Sequence, residues 1–432
     1  DPAARGGPGP AGRHVTGPAG RRVVVTGLGP LTAVGEGAEG LWEGLRRGES
    51  GVGPVTRFDA SPFRSRVAAE LPDFDRRERL GRKQARRVDR FGALSLESAR
   101  LALEDGELDP GEVDPDRAAV QMGSALGGVG YAEEQHGSFV ENGVRGVDPM
   151  LALAVFGGAS SCNIAIRFGF TGPNSTNAMS CASGTMGIGR GFRLIRSGEA
   201  DVALAGGAEA PLAPLSFGSF ALIRAMSTRN DAPEAASRPF DRDRDGFVMG
   251  EGACVLLLEE MGHALRRDAR VYAEIVGYGT TNDAYHMTAP RPDGSQASRA
   301  MRLALEDAGV RATEVGHVNA HGSATPLNDP TEAKAIRSAL GDVGTRIPVT
   351  ATKGYHGHAL GASGAMEAAI VSLSLLRDWL PPVVNLDEPD EEVQDLQLVR
   401  GTGLEHRAEY VLSNSFGFGG INAALLFRRW EE

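Results

Sequence analysis

Short apolar runs alternate with longer stretches of helical period along most of the chain. Residues 22–27, built on Val23-Val24-Val25, predict a buried strand that leads through a glycine-containing loop into an amphipathic helix over 36–47. Residues 118–122 predict another strand, and 150–168 read as one mostly apolar helix able to line a core or a subunit contact. A short extended segment from Asn177 turns at Cys181 into a helical stretch in which Gly184, Gly187 and Gly191 leave one face nearly bare, while Ile188, Phe192 and Ile195 form an apolar face. Strands are expected at 201–205 and 253–258. A second cycle opens at 271–277 and continues as a helix at 296–308, a strand at 317–320, a helix at 329–340 and a strand at 347–350. It closes with a helix at 362–377 and strands at 410–412 and 422–427, between which 414–420 read as a flexible loop. The alternation predicts an α/β fold in two similar halves, 21–260 and 261–432.

Composition narrows the picture. At 432 residues and 41% hydrophobic, with no low-complexity tract, the chain exceeds one ordinary domain, which fits two domains or one duplicated core. A formal charge of -11 disfavours bulk nucleic-acid binding. Cys162, Cys181 and Cys254 match neither a disulfide scaffold nor a clustered metal site, so a reducing compartment, the cytoplasm, is expected. No uninterrupted apolar run is long enough for a bilayer, and no membrane contact is expected. Residues 1–20, rich in glycine, proline and alanine without the apolar centre of a secretory signal, read as a disordered leader. Gly27-Leu28-Gly29 is half of a dinucleotide loop, but Pro30 and Leu31 break the pattern. The acidic, glycine-rich stretch 239–252 lacks the twelve-position ligand order of a calcium loop, so charges paired to hold a loop are the better reading. A basic cluster that includes Arg82, Lys83, Arg86 and Arg87 fits either a solvated helix face or a surface for an acidic partner.

Three side chains carry candidate chemistry. A free cysteine most often packs as a small hydrophobe. Cys181, however, stands at a strand-to-helix corner, where helix amides favour a thiolate and a bound carbonyl oxygen. His321, in Ala320-His321-Gly322-Ser323-Ala324-Thr325-Pro326, and His358, in Lys353-Gly354-Tyr355-His356-Gly357-His358, each follow a strand and precede a helix. One nucleophile with two imidazoles and Lys353 exceeds what a cysteine protease needs, and the surplus of proton donors fits negative charge developing on a second substrate. Zinc is the rival use, but the short-range ligand pairs of structural zinc are missing, so no metal is assigned.

The cysteine segment, the His321-Gly-Ser-Ala-Thr-Pro-Leu-Asn-Asp motif, the 353–358 motif and the 414–420 loop, in that order, resemble the elongating β-ketoacyl-acyl carrier protein synthases. These are the type II fatty-acid synthase class and the related polyketide ketosynthases, and the likeness spans residues 22–428. The resemblance implies a thiolase-like duplicated α/β/α/β/α five-layered sandwich acting as a dimer. It implies an acyltransferase that condenses an acyl chain held on Cys181 with malonyl-acyl carrier protein, with His321, His358 and Lys353 catalytic. Backbone amides of Cys181 and Phe418 would hold the oxyanion, Phe418 with Phe416 would gate the site, and Leu126 and Phe220 would line the acyl pocket. Asp329 and Glu332 would brace the histidine region, and Arg82, Lys83, Arg86 and Arg87 would meet the acidic carrier. No prosthetic group is implied, since the phosphopantetheine belongs to the carrier. The alternative within the resemblance is the catalytic half of a heterodimer with a chain-length-factor partner. A thiolase would carry a second catalytic cysteine late in the chain, where none occurs, and a noncatalytic tunnel-shaping subunit would not need Cys181, His321 and His358. Ser180 before the cysteine and Gly354-Tyr355-His356 after the lysine depart from the family pattern and bear on substrate preference.

Overall fold

The computed structural model describes residues 20–72 and 74–431, so the leader expected over 1–20 lies outside the described residues apart from Gly20. At its centre the all-buried strand Val23–Leu28 (β1) pairs antiparallel with Ala273–Asn282 (β6), placing Val24 opposite Glu274. The first half adds Ala118–Gly123 (β2), Asn174–Asn177 (β3), Val202–Glu209 (β4) and Gly252–Glu260 (β5). The second adds Val315–Asn319 (β7), Pro348–Thr350 (β8), Gln397–Leu398 (β9), Tyr410–Gly417 (β10) and Ile421–Arg428 (β11). These eleven lie in the order β9-β8-β7-β10-β11-β6-β1-β5-β4-β2-β3, and the short strands Leu31–Thr32 and Gly35–Glu36, off this path, bring the sheet to thirteen. Outward from the β1/β6 pair, both halves repeat the same pairings: two antiparallel, then two parallel.

Helices complete five layers. Arg90–Asp105 (α1) and Ala159–Phe168 (α2) cover the outer face of the first half. Ser295–Ala308 (α4) and Asn328–Leu340 (α5) cover that of the second. Between them run Ser183–Arg196 (α3) and Ser363–Arg377 (α6), which touch each other and strands of both halves. The fold is the thiolase-like sandwich. Glycine makes the central layer thin enough: a Cβ on Gly184 would sit 2.7 Å from the Gly361 carbonyl oxygen, and one on Gly187 would sit 2.7 Å from that of Gly206. On the apolar face of α3, Ile188, Phe192 and Ile195 are buried. Leu360–Arg377 is long and apolar enough to cross a membrane, but it is buried between the sheet halves, which accounts for its composition.

Two sequence expectations change. The single helix over 150–168 is two, Leu151–Ala154 and α2, parted at 155–158 where Gly157-Gly158 interrupts the period. Part of its apolar content faces outward, with Leu153 60%, Phe156 47% and Ile166 81% exposed. The flexible loop over 414–420 is mostly strand: β10 runs to Gly417, paired with Ile421, and only 418–420 turn, with Gly419 and Gly420 at positive φ. In 239–252 the charges are paired, Arg244 with Asp390 at 2.7 Å and the adjoining Arg238 with Asp241 at 3.0 Å.

Candidate active site

Cys181 lies in a single 3-10 turn, Ser180–Ala182, between β3 and α3, entered through Ser180 at φ 50°. The chain reverses so sharply because α3 must start directly behind the strand end, and the left-handed Ser180 aims the next side chain out of the sheet. Cys181 is 7% exposed and lines a cavity of about 290 Å³ together with His321, His358, Phe220, Phe416 and Phe418. The three side chains singled out from sequence therefore meet in one cavity. The expectation that helix amides lower the thiol pKa is reversed: burial pushes it up to about 11, and this outweighs the opposing pull of the Ser180 hydroxyl, the Lys353 charge and the Phe418 N–H. The resting group is a thiol.

His321 follows β7, and its ring stands 5.2 Å from that of His358, edge to face. Burial, then the Lys353 ammonium and the neighbouring imidazole, holds His321 well below its usual pKa; burial and Lys353 do the same to His358. Both rings are neutral. Lys353 Nζ lies 3.3 Å from His321 Nδ1 and also donates to the His321 carbonyl and to Glu367. Because an ammonium can only donate, His321 Nδ1 accepts and the proton of the neutral ring is assigned to Nε2. His358 Nδ1 instead meets the Ser363 hydroxyl at 2.9 Å, a partner that can donate or accept by rotating, so this ring is free to change tautomer.

Buried carboxylates fix the surrounding backbone. Glu332 accepts the N–H groups of His321 and Gly322, each at 2.8 Å, which sets the turn after β7. Asp329 accepts the Phe240 N–H at 2.7 Å. Burial pushes Glu332 and Glu367 each up to about 7, in Glu367 despite the adjacent ammonium.

The remaining sequence candidates divide. Phe220 and Phe418 stack at 6.3 Å and both line the cavity, and Phe416 lies 5.9 Å from the His321 ring. Leu126 packs on the apolar cluster that contains Cys181 but does not line the cavity. Arg82, Lys83, Arg86 and Arg87 are exposed on and just after the helix Arg76–Ala85, which kinks at Gly81, and none lines the cavity. Two groups escaped sequence reasoning. Glu367 holds Lys353, and Glu209, the last residue of β4, accepts from Ser124 Oγ at 2.9 Å and from the N–H groups of Ala125, Leu126 and Gly361 at 2.7, 3.0 and 2.8 Å. The available signal for both was a lone acidic residue within or ending an apolar run.

A duplicated sandwich with a thiol and two neutral imidazoles at the junction of its halves defines a thiolase-like acyl-transfer protein. The family description "Beta-ketoacyl synthase, N-terminal domain" matches residues 20–264, and "Beta-ketoacyl synthase, C-terminal domain" matches 272–387. Relatives named 3-oxoacyl-[acyl-carrier-protein] synthase 2 include one from Synechocystis sp., 44% identical over 95% of this chain and 98% of its own, and one from Coxiella burnetii, 42% identical over 94% and 98%. Among solved structures, a beta-ketoacyl synthase from Burkholderia phymatum superposes with TM-score 0.88 at 37% identity, covering 95% of this chain and all of its own. The ishigamide ketosynthase/chain length factor gives 0.89 at 35%, covering 96% and 100%. A type II PKS ketosynthase bound to a hexaketide and in complex with its acyl-carrier protein gives 0.89 at 32%, covering 95% and 100%. The chain belongs to the beta-ketoacyl synthase family.

Proposed function

We propose that this chain catalyses decarboxylative Claisen condensation of an acyl group carried on Cys181 with malonyl-acyl carrier protein, extending a fatty-acid or polyketide chain by two carbons. The observation that carries the reading is the convergence of Cys181, His321 and His358 on one cavity. In the first half-reaction the Cys181 proton passes to His358 Nε2, made available when Ser363 takes the Nδ1 proton as acceptor. The sulfur bonds to the acyl carbonyl carbon, with the oxyanion facing the N–H groups of Cys181 and Phe418. The bond to the carrier sulfur then breaks, and the proton leaves with the carrier thiol. In the second, malonyl loses carbon dioxide and its bonding pair becomes an enolate, whose oxygen accepts from His321 Nε2–H and His358 Nε2–H. The enolate carbon attacks the acyl carbonyl, the carbon–sulfur bond to Cys181 breaks, the thiolate takes a proton from water, and the β-ketoacyl carrier departs.

Lys353 locks His321 as donor in this scheme, Asp329 and Glu332 hold the backbone around it, and Phe418 with Phe416 closes over the acyl group beside Phe220. Decarboxylation supplies the carbanion, so the chemistry calls for no resident prosthetic group; the phosphopantetheine comes with the carrier. The acyl-carrier complex of the ketosynthase relative supports the same class of partner here, with Arg82, Lys83, Arg86 and Arg87 as the docking cations. Three free cysteines and this substrate class fit the cytoplasm. The outward apolar side chains Leu153, Phe156 and Ile166 suit a dimer contact. A homodimer is the first reading, and a ketosynthase/chain-length-factor heterodimer is favoured only by the likeness to such a complex. The test is intact mass: acyl-carrier thioester should add one acyl group at Cys181, and malonyl carrier should discharge it as β-ketoacyl product. An enzyme that stays unacylated while otherwise folded would refute the reading, and the native mass of the chain purified alone separates the two dimers.

A further inference from the structure

Ser180 aims Cys181 out of the sheet, and its own side chain ends beside the sulfur, with Oγ 3.8 Å from Cys181 Sγ. Among the described residues this hydroxyl has no other partner. A polar residue held at positive φ commonly bonds its side chain to nearby backbone, but the turn here is tied by Ser183, whose hydroxyl donates to the Ser180 carbonyl at 2.7 Å. The corner itself does not call for serine. Leu360 takes the matching position before α6, at φ 41°, with an apolar side chain. Ser180 is half-buried and lines the Cys181 cavity beside Gly417, where a Cβ would lie 3.2 Å from that of Ser180. Glycine at 417 therefore leaves the hydroxyl its place at the sulfur.

We propose that Ser180 is a further catalytic residue, whose hydroxyl donates a hydrogen bond to the Cys181 sulfur as the thiolate forms. Its part in acyl transfer rests on the condensing reading above. Beside the resting thiol the hydroxyl can accept the S–H; once the Cys181 proton has passed to His358 Nε2 it rotates and donates, since a hydroxyl does either. No proton changes hands at Ser180. Its O–H bond stays intact while an electron pair of the sulfur forms the bond to the acyl carbon, and the same donor meets the thiolate released in the second half-reaction. A hydrogen bond to a charged sulfur is stronger than one to a neutral thiol, so the hydroxyl favours the states in which the sulfur carries charge. Burial makes that help count: of the groups that oppose it at Cys181, the Ser180 hydroxyl pulls hardest, ahead of the Lys353 charge and the Phe418 N–H.

The experiment compares the unaltered protein with Ser180→Ala and Ser180→Gly. It follows alkylation by iodoacetamide against pH and acylation by an acyl-carrier thioester, both by mass at the Cys181 peptide because Cys162 is exposed. A donor to the charged form lowers the thiol pKa, so its loss should move the alkylation profile up by about one pH unit and slow acylation about tenfold, the factor that one unit represents. Decarboxylation of malonyl carrier, in which the sulfur carries no charge, should not change. Glycine relieves the positive φ that alanine keeps, so a role in aiming the backbone would part the two variants, whereas loss of the hydroxyl makes them alike. Unmoved profiles in both variants, or acylation restored by glycine alone, would overturn the proposal. If no acyl-carrier thioester acylates the unaltered protein while both variants still show the shifted alkylation profile, the condensing reading falls and the hydroxyl remains the donor to the sulfur.

Discussion

The corner that precedes α3 and the corner that precedes α6 are built alike and used differently. Ser180 opens the first at φ 50° and Leu360 the second at φ 41°, and each begins a three-residue 3-10 turn, Ser180–Ala182 and Leu360–Ala362, that runs into a central helix. The second position is Cys181 in one and Gly361 in the other. The strand ends facing them differ in step. β4 ends on Glu209, whose carboxylate takes the Gly361 N–H at 2.8 Å, whereas β10 ends on Gly417, followed by Phe418, whose N–H is near enough to the Cys181 sulfur to favour its thiolate. Among the described residues the Cys181 N–H has no hydrogen-bond partner. Duplication thus provides two equivalent backbone corners. One is closed by a carboxylate of its own fold, and the other leaves its N–H unpaired, as the oxyanion role proposed for it requires.

The comparison breaks first at the sulfur. Cys181→Ala gives the thiol corner the near-bare side chain of its counterpart, and condensation should fall at least about a thousandfold, with the melting temperature nearly unchanged, as measured by β-ketoacyl product formation and thermal unfolding. Retained condensation would mean that the open corner is not where bonds form.

Next are the imidazoles, which differ from each other as the corners do. Lys353 holds His321 in one tautomer and Ser363 leaves His358 two. His321→Ala should slow malonyl-carrier decarboxylation by about 10²–10³-fold, the worth of a preorganised donor, and leave self-acylation nearly intact. His358→Ala should slow both steps. Equal losses in the two variants, measured by carbon dioxide release and by acyl mass on Cys181, would remove the distinction between locked and switching rings.

These contrasts also mark what was legible in the sequence. Cys181 and His321 each sit where a strand hands over to a turn, a place that residue patterns reveal, whereas His358 lies beyond the helical turn Lys353–His356 that follows β8; the alternation of strands and helices carried the duplicated fold. Glu209 and Glu367 offered only the signal of an acidic residue in an apolar run, and their roles could not be read because their partners are backbone groups and a lysine brought close only by folding. The thiol pKa was misjudged because helix amides can be read from sequence, while burial that pushes it up to about 11 depends on layers packing from both halves. The break at 155–158 was missed for a related reason: apolar residues there face outward, so hydrophobic count implied a helix continuity that packing does not enforce.

Glu209→Gln tests the closed corner. An amide placed against backbone N–H donors costs about 1–3 kcal/mol, and acylation should slow because Ala125, which lines the cavity, and Gly361, next to the cavity-lining Leu360, lose their anchor. The pH dependence has a definite sign. Burial raises the Glu209 pKa from 4.5 to about 7, so within that window the folded protein keeps a proton that the unfolded chain has released. Its contribution to stability is therefore full below about 4.5 and lost as pH rises toward about 7. The stability gap between the unaltered protein and Glu209→Gln should narrow as pH climbs through this range, as followed by denaturant melts, and a widening gap would show that the charged form is the one the corner prefers.

The smallest effect belongs to the surface of the half that carries the thiol. Arg82, Lys83, Arg86 and Arg87 are exposed, so each contributes no more than about 1 kcal/mol to an encounter with an acidic carrier. Reversing two of them, as in Lys83→Glu with Arg86→Glu, should raise KM for acyl carrier protein about three- to tenfold while leaving kcat alone, and added salt should shrink the difference because exposed charges are screened within about 10 Å at moderate ionic strength. An acyl-pantetheine thioester without the carrier protein supplies the decisive control. If the variant acylates Cys181 from that small donor at the unaltered rate, the four cations act on the carrier and the open corner works independently of them; an equal loss with both donors would instead place their effect inside the fold.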